Sequence, residues 1–575
     1  MIDQLKWYIM RPLLFVLGQV ALRQAHRWQR AFLRDIQDPK RIQDELLRKL
    51  IEHHADTDFG RKHHFRSIRN LTDFRKHLPI HRYEDLDPYI AEVRRGHFNA
   101  LLNTSKIHMF AMTSGTTATR KYIPVTDQYL YDYRRGMTIW GVGYFDQYKK
   151  MLLRPILQLT SDWDEFRSEA GIPCGSVSGL SAMMQRRIVR RFYCLPAIAC
   201  KIKEHATKTY MALRSALPRK NLTLVVSANP STLIKLAQFG DEHKEDLIRD
   251  LFDGTISSRF ELEPELRQQL EPYFRRKLPD RARELEEIVR RTGHLYPKDC
   301  FPELQGLGHW TGGSVGLYVR HLPRYYGDSP AIRDLGLIAS EGRFSIPFED
   351  RTASGVLDVT SHFYEFIPEA EIDAAQPTVL TATEVEEGKN YYILPTTAYG
   401  LYRYNIFDVV KVTGFYQKTP MIEFLNKGSL FANLTGEKLS EFQVNAAVRQ
   451  ASIDMNLLLH AFALAPCFDE VRPFYGLFVE RRDFGEMGNM AVALQFAQRV
   501  DRSLRACNLE YDAKRASDRL GEIQPIFVAP GAWAQWDRER LQRTGGTAEQ
   551  YKRPSLIADP QFRDQMPIDM NAQPA

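Results

Sequence analysis

Residues 113–117 read Thr-Ser-Gly-Thr-Thr, and Arg120 and Lys121 follow close behind. A loop of small hydroxylated residues lets the backbone N–H and side-chain O–H groups of Thr113, Ser114, Gly115, Thr116 and Thr117 close on phosphate oxygens, while Lys121 neutralises their charge. The G-x-x-x-x-G-K-[ST] spacing of a Walker A loop is absent, so a polar turn between two strands is the competing reading. Two carboxylates could complete a phosphate site. Ser340-Glu341 ends the apolar run 335–339, and a carboxylate at a strand end can hold Mg2+ bridging phosphates. Asp408 precedes Val-Val-Lys-Val, where a carboxylate can accept two hydrogen bonds from a ribose diol. Arg403, just upstream, suits a phosphate or a structural ion pair equally. Gly312-Gly313, after Trp310-Thr311, lets backbone lie flat against a planar ligand or forms a tight turn.

The elements that must position these residues alternate. Helical spacing runs through 40–56, and Asn70 is placed to cap a short helix ending at His77. Residues 222–228 (LTLVVSA) form a buried strand stopped by Asn229-Pro230, with a helix starting at Ser231. That strand–turn–helix order is α/β. Residues 241–298 are charge-rich and helical, longer than an ordinary connection, and read as a helical insertion. Residues 355–368 alternate as one strand, and 379–397 as two strands around Glu387-Gly388. A hinge is expected at 426–428, followed by a small α+β unit, and the last dozen residues read as a frayed tail. The expected organisation is a basic segment at 1–35, a large lobe at 36–426 and a lid at 427–575.

Of 575 residues, 44% are hydrophobic and 26% charged, an ordinary globular mix that excludes disordered and collagen-like classes. The net charge of +7 comes from interspersed signs, so nucleic acid is not an expected partner. Six cysteines at irregular spacing form neither a disulfide framework nor a zinc site and suit reduced thiols in the cytoplasm. No run reaches the ~20 apolar residues of a membrane-spanning helix. The segment 1–35 carries six basic residues among Trp7, Phe15, Trp28 and Phe32. It can lie on an anionic membrane surface or pack its apolar side on the protein body, and packing is the commoner fate of such a stripe.

The loop at 113 resembles the T-S-G-T-T-G-x-x-K phosphate loop of the adenylate-forming superfamily (acyl-CoA synthetases, peptide-synthetase adenylation domains and luciferases). Lys121 falls on the motif lysine and Ala118 replaces the last glycine. A closer resemblance is to the Gretchen Hagen family of acyl-acid amido synthetases. Its patches recur in order as FRKHLPIHRYEDLDPYI (74–90), TSGTTATRKYIPVT (113–126), GHWTGGS (308–314), LIASEG (337–342), YGLYRYNIFDVVKVTGFY (399–416) and QYKRP (550–554). Two departures matter. Leu337 stands where the family often has an adenine-stacking tyrosine, and Phe407 stands where it has glycine before the aspartate.

The resemblance implies a two-lobe α/β enzyme that uses ATP and Mg2+ to activate a carboxylic acid as acyl-AMP, then passes the acyl group to an amine, an amino acid above all. It assigns the loop and Lys121 to the phosphates, Glu341 to the metal and ATP, and Gly312, Gly313, Ser340, Arg403 and Asp408 to the nucleotide. Lys552, on the lid, is assigned to the adenylation transition state. Thioester formation with coenzyme A is the alternative chemistry, and a silent membrane scaffold the alternative class. The joint presence of Lys121, Glu341, Asp408 and Lys552 speaks against the scaffold.

Overall fold

The structure is a computed structural model. It describes residues 20–569 apart from 21, 114–120, 186, 314–315, 373, 375, 429–430, 433, 435–436, 438, 469–472, 486–487, 517–519 and 545–552.

Three larger sheets build the described part of the large lobe, with a two-stranded sheet, Ile338–Ala339 and Gly342–Arg343, whose turn carries Ser340-Glu341. In a four-stranded sheet, Met109–Thr113 lies between Lys121–Val125 and Pro173–Gly175, with Phe166–Arg167 at the far edge. Thr113 is paired with Lys121 across an antiparallel ladder. The hydroxyl-rich loop therefore joins the ends of these two strands, but its residues 114–120 lie outside the described ones. The helix Asp127–Gln147 follows at once, capped by Thr126, whose hydroxyl accepts from the Tyr129 N–H.

A parallel sheet takes Ile156–Gln158, Leu224–Val226, Gly306–Gly308 and Ala331–Arg333 in sequential order. The helices Lys244–Asp253, Pro264–Phe274 and Pro279–Thr292 fall between its second and third strands. The helical run at 241–298 is thus the enlarged crossover of a βαβ unit, and its apolar faces share a core with the sheet. The third sheet is antiparallel and seven-stranded. Its order is Ser345–Ile346, Gly355–Leu357, Thr419–Lys427, Asp408–Tyr416, Asn390–Thr396, Phe363–Pro368, Leu380–Thr381.

Beyond Lys427 the chain builds separate cores between Ala432 and Met566. They enclose the helices Glu441–Asp454 and Met490–Cys507 and the sheet Phe462–Phe468, Pro473–Glu480, Gln524–Val528. This lobe touches the large one where Tyr318 donates to the His460 carbonyl and Arg320 to that of Leu457, at 3.3 and 2.6 Å.

Several local expectations hold. Pro39–His53 is a helix, and Asn70 caps Leu71–His77 by accepting from the Asp73 N–H. Others need correction. The helix Pro230–Glu242 is capped by Asn229, not Ser231, because the Asn229 side chain reaches the Ser231 N–H. Residues 355–368 form two strands, and the break at 358–362 turns Asp358 and His362 into the interior. Of the tail expected to fray, residues 564–569 are docked: Met566 is buried, Ile568 bridges Val528 and the Asp569 N–H donates to the Phe527 carbonyl, while 570–575 lie outside the described residues. Residues 22–35 are helical and bury Ala25 and Phe32, while Trp28 meets the Tyr131 ring edge-on at 6.0 Å. The described part of the basic segment therefore packs on the body. The first nineteen residues lie outside the described ones, and among the described residues no helix is long and apolar enough to cross a membrane.

Candidate functional site

Lys121 opens its strand directly after the loop, and its side chain is buried. Its ammonium donates to the Tyr404 hydroxyl at 3.3 Å and lies 5.5 Å from the centre of the Tyr83 ring. The Tyr83 hydroxyl accepts from the Tyr122 N–H at 2.8 Å. The stretch 74–90 therefore builds one wall around this lysine. It is zipped to the segment that leads into the strand starting at Asp408, where His81 N–H donates to the Arg403 carbonyl and Asn405 N–H donates to the His81 carbonyl. Burial pushes the Tyr404 phenol well above its usual range, and Glu341, Tyr83, Glu84 and Asp408 add to it in that order. Lys121 thus meets the Tyr404 phenol directly, and the charges of Glu341 and Asp408, distant in sequence, act on the same phenol.

Ser340-Glu341 is pinned by three hydrogen bonds. The Ser340 hydroxyl donates to the Met112 carbonyl at 2.8 Å, the Tyr129 hydroxyl to the Ser340 carbonyl at 2.9 Å, and the Tyr399 hydroxyl to the Glu341 carbonyl at 2.7 Å. Met112 immediately precedes Thr113, so the glutamate is tethered to the strand that feeds the loop. Glu341 is buried at 4% exposure. Among the described residues no group of three His, Cys, Asp or Glu side chains forms a metal cage. A single buried carboxylate fits an ion that completes its shell with water and phosphate oxygens, which is the habit of Mg2+ carried on a nucleotide.

Asp408 is buried at the start of its strand, paired with Lys427 at the end of the next. The residue before it, Phe407, has φ +60°, in the left-handed region. The turn keeps the backbone of a glycine although the side chain is phenylalanine. Asn405 supports it, its side chain accepting from the Phe407 N–H at 2.8 Å. Arg403 takes the structural role of its two. Its guanidinium is buried against Glu365 at 2.7 Å and donates to the Leu78 carbonyl at 2.7 Å. The guanidinium fork that the nucleotide-binding expectation would aim at phosphate is thus engaged by Glu365 and the Leu78 carbonyl.

The chain itself accounts for Gly312 and Gly313. A Cβ on Gly312 would sit 2.8 Å from the Ala353 Cβ, and Gly313 has φ +60°. Thr311 before them is clamped by Asp334, which accepts from its N–H and hydroxyl at 2.5 and 2.8 Å. Leu337 is buried in the core of the large lobe. Lys552 lies outside the described residues. Its neighbour Arg553 is anchored by Asp537, at 2.5 Å, and over the Trp533 ring.

Sequence reading missed Tyr129, Tyr399 and Tyr404, since a buried phenol that holds a carbonyl or an ammonium looks like any core aromatic. It also missed Arg134 and Arg343. Arg134 Nη2 and Arg343 Nε are buried without a hydrogen-bond partner. Burial lowers both, Arg343 to about 10.

The family models for the GH3 N-terminal, central and C-terminal domains match residues 29–331, 355–427 and 442–561. The chain is 23% identical over 555 residues to an indole-3-acetic acid-amido synthetase, GH3.3, of Arabidopsis thaliana, covering 90% of this chain and 89% of that one. It is 23% identical over 432 residues to a jasmonoyl–L-amino acid synthetase, JAR4, of Nicotiana attenuata, covering 72% and 74%. Among solved structures, an AtGH3.15 acyl acid amido synthetase in complex with 2,4-DB superposes with a TM-score of 0.81 at 18% identity, covering 94% of this chain and 97% of that one.

Proposed function

The chain belongs to the GH3 family, and on that premise we propose that it is an adenylate-forming ligase that joins a carboxylic acid to an amino acid at the expense of ATP. The observation that carries this reading is the buried Lys121 ammonium on the Tyr404 hydroxyl, beside the strand end that leads into the hydroxyl-rich loop, with the Glu341 and Asp408 charges acting on the same phenol.

In the first half-reaction a carboxylate oxygen attacks the α-phosphorus of ATP, the new O–P bond forms and pyrophosphate leaves. In the second, the amine attacks the acyl carbon, AMP leaves and the nitrogen loses its proton. The protein mainly positions charge. The loop 113–117 and Lys121 would cradle the phosphates, and Asp408 would hold the ribose. Mg2+, held by Glu341 and phosphate oxygens, would offset the negative charge that develops at the phosphates. Arg134, on the helix that carries Tyr129, is a desolvated cation suited to the carboxylate of the acid. Gly312, Gly313 and Ser340 would border the nucleotide, and Lys552 would arrive from the small lobe. The acids and amino-acid acceptors named for the relatives support small organic acids as substrates. The cytoplasm is the proposed compartment, on the pattern of six free cysteines.

The test is pyrophosphate release across a panel of carboxylic acids, with amino acids or coenzyme A added. An acid-dependent burst that only amino acids convert into turnover is expected, and Glu341→Gln should abolish the burst because an amide coordinates Mg2+ poorly. Turnover with coenzyme A alone would select thioester synthesis, and wild-type adenylation by Glu341→Gln would remove Glu341 from the site.

A further inference from the structure

We propose that Tyr399 and His362 are positioning residues that hold Glu341 in the orientation needed to receive a nucleotide-bound cation. The inference rests on the role given to Glu341 above.

The Tyr399 hydroxyl sits between two groups, the Glu341 carbonyl at 2.7 Å and His362 Nε2 at 3.2 Å. A phenol has one proton to give. A carbonyl oxygen can only accept, so that proton goes to Glu341. His362 Nε2 must therefore donate to the phenol oxygen, which assigns His362 as the Nε2–H tautomer. Its burial agrees with a neutral ring: desolvation pulls its pKa down to about 4, overriding the opposing Asp358 charge. The relay runs from imidazole to phenol to the peptide carbonyl of Glu341, and all three residues are buried.

Gly342 shows how closely the relay is fitted. It has φ +140°, and a Cβ there would lie 2.4 Å from the Tyr399 hydroxyl and 2.9 Å from His362 Nε2. Only a residue without a side chain lets the phenol reach the carbonyl just before it. The neighbouring carbonyl, on Ser340, is held by Tyr129, whose ring lies 4.7 Å from that of Tyr399. Two buried phenols thus fix successive peptide planes. Fixing the peptide on each side of a Cα fixes the direction in which its side chain leaves the backbone, so the Cα–Cβ bond of Glu341 is set before any ligand arrives.

The experiment is calorimetric titration of a non-hydrolysable ATP analogue with and without Mg2+, which reads the metal's contribution to binding apart from turnover. Tyr399→Phe keeps the ring and removes the hydroxyl. The expected result is that the Mg2+-dependent gain in affinity falls by about 10- to 100-fold, the range for removing a group that orients a metal ligand, while metal-free affinity holds. His362→Gln can place an N–H donor where Nε2 stood and should keep most of the gain, whereas His362→Leu should lose it. A Tyr399→Phe protein with the wild-type gain overturns the proposal, as does equal behaviour of His362→Gln and His362→Leu. Glu341→Gln separates the two layers. If it keeps the gain, the role of Glu341 is wrong and the positioning proposal falls with it. If it loses the gain while Tyr399→Phe keeps it, the positioning alone is wrong.

Discussion

The Arg403 guanidinium donates to the Glu365 carboxylate at 2.7 Å, with both side chains buried, and Arg75 donates to the same carboxylate at 2.8 Å. Leaving a buried charge with no partner typically destabilises by about 3–5 kcal/mol, and because Arg75 stays on Glu365 when Arg403 is removed, that figure is an upper bound here. Arg403→Met should therefore lower the unfolding free energy by less than that while the folded protein keeps its ATP affinity. Wild-type stability combined with weakened ATP binding would restore the ligand role for Arg403.

Phe407 holds a left-handed backbone immediately before Asp408. That region costs an L-residue about 1–2 kcal/mol, whereas glycine elsewhere loses only about 0.5–1 kcal/mol relative to alanine. The usual order should invert here, with Phe407→Gly about 1 kcal/mol more stable than Phe407→Ala in chemical denaturation. The ordinary order, alanine above glycine, would show that the turn relaxes.

Burial pushes the Asp132 carboxyl up to about 7, against the pull of Arg135 and Gln128. The folded state therefore keeps a proton that the unfolded chain releases near pH 4. The stability this group contributes is fully present below about pH 4 and is lost as pH rises to about 7. Asp132→Asn, which cannot ionise, should gain in Tm over the wild type between pH 5 and pH 8, with the gain gone at pH 4. Parallel Tm curves for the two proteins would place Asp132 in a solvated site.

Residues 22–35 pack Phe32 into the main core, where Ile36 joins it. Burying one such side chain contributes about 1.5–3 kcal/mol. Deleting 1–19 should leave Tm and adenylation intact, whereas deleting 1–36 should cost several kcal/mol and reduce soluble yield. Sedimentation with anionic vesicles checks the membrane role of 1–19. Equal sedimentation of the full chain and the shorter deletion would dismiss it.

Lys552 is assigned to charge that develops as the acid attacks the α-phosphate. Lys552→Ala should slow adenylation by about 100- to 1,000-fold, with the loss in kcat rather than in KM for ATP. It should still convert synthetic acyl-AMP to product with the acceptor. Equal failure in both half-reactions would mean that Lys552 is structural or serves both steps.

Local chemistry carried much of this protein in its sequence. Asn70 capping Leu71–His77 and the strand at Leu224–Val226 are matters of nearest neighbours and of apolar runs. The residues proposed for the site could be picked out of the sequence too, because the matching patches recur in the family's order although each alone has an ordinary structural use. What the residue order could not settle was which groups the fold would claim for itself. Arg403 looked equally fit for phosphate, and its ion pair is with Glu365, 38 residues away on the strand Phe363–Pro368. Residues 566–569 looked frayed until Val528 supplied a partner. Tyr399 looked like core until the φ of Gly342 brought its hydroxyl onto the Glu341 carbonyl. In each case the deciding partner is remote in sequence, and a buried polar group takes its role from the partner that satisfies it once water is gone. That pairing exists only after the strands have assembled.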